Sequence, residues 1–175
     1  MPRGEVSSEA ARRVVIRLLT RILVYGLLVL IVAAIFFPVF AKAKMTTGKN
    51  RCSGQIRQMI HGLDLYATDN QGRLPIADRW MDSVLGYLSR NESLFHEPDD
   101  MPKGTYGYAM EGKASALPID TVANPRIYPL VFDSSLLQRN AVGNLTSLPR
   151  PQRHFWGNHV GYLDGNVGTL RGEDR

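Results

Sequence analysis

A single cysteine, Cys52, occurs in 175 residues, so no intrachain disulfide is available and cysteine usage is silent about redox compartment. The ordinary role of such a residue is that of a small buried hydrophobe. Charge is missing from one place: no acidic or basic residue interrupts the chain from Ile22 to Ala41. No second apolar run of similar strength exists to pack around it, which argues against a core helix of a soluble protein. A catalytic constellation is also lacking. Ser7-Ser8 and Ser134-Ser135 have no nucleophile context. His61, His96, His154 and His159 have no metal-ligand spacing with one another. The reading is therefore non-enzymatic, without a cofactor and without a metal.

What is present begins with that uncharged run. The twenty residues from Ile22 to Ala41 cover roughly 30 Å as a helix, the thickness of a bilayer's hydrocarbon core. A cleaved signal peptide is the competing reading of a basic flank followed by apolar residues. The run is longer than a usual signal core, and Ala41-Lys42-Ala43-Lys44 continues a helical pattern instead of opening a loop.

The net charge of +5 suggests nucleic acid or membrane contact until it is divided by position. Residues 1–21 carry five Arg against two Glu, and residues 42–51 add four more bases. From Cys52 onward there are 12 Lys and Arg against 14 Asp and Glu, a net −2. The basic balance belongs to the membrane flanks, where Lys and Arg reach anionic headgroups, and nucleic acid is not an expected partner. Both flanks are basic, so charge alone leaves sidedness open. Arg13, Arg17 and Arg21, spaced by four, form a basic stripe on one helix face at the lipid interface.

Beyond the apolar run, Cys52, Ile56, Met59, Ile60, Leu63 and Tyr66 recur at spacings of three and four, one face of an amphipathic helix. Asn70-Gln71-Gly72 supplies its stop. The organisation is a flank at 1–21, a membrane helix at 22–41 bent near Pro38, its amphipathic continuation at 42–70, and a sheet domain at 71–175. Within that domain Trp80, Met81, Val84, Leu85 and Leu88 fit a helix of about ten residues. Thr105 to Met110 and Tyr128 to Phe132 read as strands, and Asn140 to Arg153 as an exposed connection. His159 to Leu163 and Asn166 to Leu170 flank Asp164-Gly165, which predicts a two-residue type I′ hairpin. Tyr106, Tyr108, Phe155, Trp156 and Tyr162 are candidates for a sheet-face aromatic cluster. Asp99, Asp100 and Asp164 are the calcium candidates, although no loop has an alternating ligand pattern. The fold class is α+β, a long N-terminal helix packed on a small antiparallel sheet.

These pieces, in order, carry a family resemblance. Ala33 to Lys44 around Pro38, Cys52-Ser53 with Gln55-Ile56 and Gln58, and Tyr66-Ala67 with Asp69 resemble the N-terminal part of bacterial type IV pilin-like and type II secretion pseudopilin-like proteins. His154, nine residues, then Asp164-Gly165 resembles the H-x9-DG motif of one branch, and Phe95 and Pro98, Tyr106-Gly107-Tyr108 and Val131-Phe132-Asp133 also resemble that branch. The resemblance implies a pilin-like fold in the bacterial cytoplasmic membrane, N-terminus inside and sheet domain outside. It implies protein contacts in a secretion or pilus-like system, with other pilin-like subunits or secretion-system membrane proteins and the bilayer as partners. His154 is expected to bond across to the hairpin backbone or to Asp133 and fix strand order.

The sequence departs from the family at the processing signal. With Pro38 matched to the family's proline, the cleavage point falls between Ile16 and Arg17, and the usual Glu falls on Arg21. The chain is expected to escape prepilin peptidase, since Ile16 replaces the preceding Gly and Arg17 the following Phe. Arg21 cannot neutralise a neighbour's N-terminal amine inside an apolar filament core. Glu97 stands where relatives often have a Cys, which leaves Cys52 without that partner. The second reading is a membrane-tethered extracytoplasmic binding or sensory module that keeps the fold without entering filaments.

Overall fold

A computed structural model describes residues 5–96, 101–154 and 156–171, and within them the side chains of 12, 13, 15–36 and those from 50 onward. Glu97, Pro98, Asp99, Asp100 and Phe155 lie outside the described residues, as do the side chains of Pro38 and of the basic positions from 42 to 49. The chain forms two compact units, Met1–Thr46 and Thr47–Arg175.

Helix α1 (Glu5–Asp69) contributes to both units, and its backbone is helical through Pro38. In the first unit, Val15–Phe36 is 22 residues with a mean hydropathy of 2.5 and no part buried. It is long and apolar enough to cross a membrane. This segment starts seven residues before the expected Ile22, because Val15, Ile16, Leu18 and Leu19 outweigh Arg17 and Arg21. Arg13, Arg17 and Arg21 are exposed.

In the second unit, α1 buries Cys52, Ile56, Met59, Ile60, Leu63 and Ala67. The expected stripe is present, with Ala67 fully buried and Tyr66 packed at its edge. The helix stops as its last residues dictate: Gln71 and Gly72 take φ of 57° and 73°, and the Gly72 N–H reaches back to the Ala67 carbonyl at 2.8 Å. That bond satisfies one of the carbonyls a helix end leaves open. Helix α2 (Trp80–Val84) is half the expected length, since the chain leaves helical geometry in turns that reach positive φ at Ser89 and Arg90.

Among the described residues five strands follow: β1 (Tyr108–Glu111), β2 (Pro129–Asp133), β3 (Val142–Gly143), β4 (Asn158–Tyr162) and β5 (Val167–Leu170). Their order is β3-β1-β2-β4-β5. The pairs β1/β2, β2/β4 and β4/β5 are antiparallel, but β3 runs parallel to β1, so the sheet is mixed. The expectation of a purely antiparallel sheet is corrected there. So is that of an exposed connection over Asn140 to Arg153, which contains β3 and buries Ala141 and Leu148. The Ala141 carbonyl accepts from both the Met110 N–H at 3.0 Å and the Trp80 indole at 3.1 Å, which draws this segment against the core.

The main core lies between the helices and one sheet face, around Ile56, Met59, Leu63, Trp80, Phe95 and Tyr108. A smaller cluster of Ala109, Phe132, Ala141, Leu148 and Val160 forms separately. Strand alternation assigns Ala109 opposite to Tyr108 and Met110. A register irregularity between Pro129 and Val131 lets both Leu130 and Val131 join the main core.

The final hairpin is present, with a different turn. Of Asp164 and Gly165, Gly165 alone has positive φ, at 86°. The Gly165 N–H bonds the Tyr162 carbonyl at 2.9 Å and the Tyr162 N–H bonds the Asn166 carbonyl at 2.8 Å. Leu163-Asp164-Gly165 is thus a three-residue loop, a turn followed by a left-handed glycine, and type I′ is excluded because it needs both central φ positive. The expected aromatic cluster is dispersed: Tyr106 sits edge-on to His96, Tyr108 lies in the main core, Trp156 stacks on His154, and Tyr162 packs on the smaller cluster.

One polar network ties α2 to the loop before β3. Asn140, at φ 52°, accepts from the Met81 N–H at 2.8 Å and the Asp82 N–H at 3.3 Å, so it caps α2 from 59 residues away. Its amide donates to Asp82, while Arg139 binds Asp82, Glu92 and the Tyr106 hydroxyl. The Asn140 hydrogen bond, then that of Arg139, holds the Asp82 carboxyl below its ordinary range, and the Tyr106 hydroxyl and Arg139 do the same for Glu92. Depressed carboxyls contribute stability above their unfolded values near 4 and lose it as pH falls through the lower folded values. Asn140→Ala is expected to cost about 1–2 kcal/mol at pH 7, from the lost cap and the left-handed backbone. The deficit shrinks toward pH 3, and urea unfolding of parent and variant at both pH values checks it.

Candidate metal centre

Two periodicities bring the most unusual side chains together. Gly161 on β4 faces α1 so closely that an added Cβ would lie 2.4 Å from Ile56 Cγ2 and 2.5 Å from Ile60 Cδ1. Two residues earlier on the strand, His159 occupies the same face, and four residues earlier on the helix, Cys52 lies on the same stripe as Ile56. His154 arrives from the loop before β4. That loop is pinned by Arg153, whose guanidinium donates to the Ser134 carbonyl at 2.6 Å and the Gly107 carbonyl at 3.1 Å. Asn158 fastens it again, accepting from the Arg153 N–H and donating to the Pro149 carbonyl.

Cys52, His154 and His159 each offer a ligand atom, and these atoms all lie within 4.8 Å of one another. The Cys52 Sγ to His154 Nε2 distance is 3.6 Å. Exposure is 0 % for Cys52, 4 % for His154 and 1 % for His159. Trp156 stacks on His154 with ring centroids 5.3 Å apart and planes 8° from parallel. Among the described residues this is the one group of three such side chains with converging ligand atoms.

Asp133, at the end of β2, is fully buried behind the trio. Its Oδ2 accepts the His159 backbone N–H at 2.6 Å and lies 3.4 Å from His159 Nδ1. That second contact is close but off the line of a hydrogen bond, so both His159 ring nitrogens and Asp133 Oδ1 make no hydrogen bond among the described residues. Buried polar atoms are rarely left so, because each costs about 1–3 kcal/mol of desolvation. The expectation for His154 is corrected here: the residue bonded to Asp133 is His159, and His154 contacts Cys52, Trp156 and His159.

A thiol and two imidazoles are the donor set that borderline-soft transition cations select. Cys52 itself exposes no surface. The trio escaped the sequence because its members are 102 and 5 residues apart, and only the helix-on-sheet register makes them neighbours.

The other candidate residues fall elsewhere. Asp164 accepts from the Asn166 N–H at 3.0 Å and shapes its own loop. It also lines a groove of about 450 Å³ with Asp64, Asp120, Ile60, Leu130 and Leu163. Of the calcium candidates, Asp99 and Asp100 lie outside the described residues. His61 is exposed. Comparison with family models, with curated proteins and with solved structures finds no match.

Proposed function

We propose that the chain is a non-catalytic, single-pass membrane protein of pseudopilin-like build, unprocessed at its N-terminus, that makes protein contacts in a type II secretion or type IV pilus-like system. One observation carries the reading. A single helix, α1, includes the apolar segment Val15–Phe36 and, further along, the stripe that buries Cys52, Ile56, Met59, Ile60 and Leu63 under a largely antiparallel sheet. That combination is what a pilin-like subunit uses, one end for lipid and the other for its globular part. The cytoplasmic membrane, with the N-terminus inside and the sheet unit outside, is part of the same proposal and rests on the resemblance.

The second reading, a tethered binding or sensory module outside filaments, is favoured by Arg21, an exposed cation where filament subunits carry Glu. Photocrosslinking in intact cells from an amber-coded residue at Val29 or Val32, both exposed on the apolar segment, separates the two. Adducts with pilin-like or secretion-system membrane proteins are expected. Lipid adducts alone would favour the tether.

A further inference from the structure

We propose that Cys52, His154 and His159 bind one zinc ion inside the sheet unit, with Asp133 as the positioning residue behind His159. The spacing of Cys52 and His154 matches such a site. In a tetrahedral centre with Zn–S of about 2.3 Å and Zn–N of about 2.0–2.1 Å, sulfur and nitrogen are about 3.5 Å apart. Cys52 Sγ and His154 Nε2 are 3.6 Å apart, and the third ligand atom closes the triangle within 4.8 Å.

The orphaned atoms point the same way. Metal-binding histidines characteristically present their second nitrogen to a carboxylate, which fixes the tautomer and strengthens the donor. Asp133 Oδ2 lies 3.4 Å from His159 Nδ1, close enough for a small rotation of the ring to make that bond and leave Nε2 as the ligand, and Nε2 makes no hydrogen bond among the described residues. A cation there gives that buried nitrogen a partner. The ligand types select zinc over calcium or magnesium, which take oxygen.

The role follows from where the ligands sit. They join α1, the loop before β4, and β4 itself, so the ion fastens the helix to an interior strand of the sheet. A small unit without any disulfide gains from such a staple.

The test uses the full chain purified in detergent without chelators. Elemental analysis is expected to find about one zinc per chain. After chelation, zinc returned at a hundredfold excess over its dissociation constant raises the melting temperature by roughly 10 °C. Cobalt added to the zinc-free protein gives tetrahedral bands and a thiolate-to-cobalt charge-transfer band. Cys52→Ser removes that band, and Asp133→Asn, which keeps an acceptor for the His159 N–H, weakens zinc binding by about 10–100-fold. Should the serine variant fail to fold, the wild-type charge-transfer band alone decides. Protein without metal, without the band and without a melting shift overturns the proposal, and so does stoichiometric copper with an intense blue absorption.

Discussion

Trp80→Ala is expected to lower the stability of the Thr47–Arg175 unit by about 3–5 kcal/mol, a large share of the roughly 5–15 kcal/mol typical of a domain. Trp80 has no exposed surface and sits edge-on to Phe95, with ring centroids 5.5 Å apart and planes at 84°. Removing it leaves a cavity between α2 and the sheet and takes away the indole donor to the Ala141 carbonyl. The full chain in detergent should melt roughly 10–20 °C lower by circular dichroism. Trp80→Phe keeps most of the apolar area and loses chiefly the hydrogen bond, so it should cost only about 1–2 kcal/mol. Equal losses for the two variants would mean that the hydrogen bond, and not packing, dominates at this position.

The second large effect concerns the apolar helix. Leu28 and Ile31 lie near the middle of the uncharged run and are exposed along Val15–Phe36. An arginine near the centre of a spanning helix opposes insertion by about 2.5–3.5 kcal/mol, so Leu28→Arg combined with Ile31→Arg opposes it by about 5–7 kcal/mol. The double variant is expected to leave the membrane fraction, while Arg13→Ala, at the basic flank, stays in it. Fractionation followed by immunoblotting reads both. Retention of the double variant would mean that the segment is held by protein contacts and not by lipid.

Legibility differed by the range of the interactions involved. The amphipathic stripe from Cys52 to Leu63 and the strands at Pro129–Asp133, Asn158–Tyr162 and Val167–Leu170 were readable because short periods encode them. Strand β3 was hidden, since two residues joined in parallel to β1 leave no alternation, and what holds that segment is the Trp80 indole from 61 residues away. The hairpin's place is legible and its turn type is not, because Asp-Gly serves both a two-residue loop and the end of a three-residue one. The Cys52, His154 and His159 trio was invisible for the same reason as β3. No local spacing records it, and the close approach at Gly161 that brings helix and strand into register reads in sequence only as a glycine in a strand.

The membrane anchor underlies the whole functional reading, and its rival is a signal sequence that is removed. Alkaline carbonate extraction of native membranes, with mass spectrometry of pellet and supernatant, distinguishes them directly. The anchor predicts that the chain stays in the pellet and yields a peptide crossing the Ile16–Arg17 bond intact. A shorter chain in the supernatant, beginning after the apolar run, would contradict it.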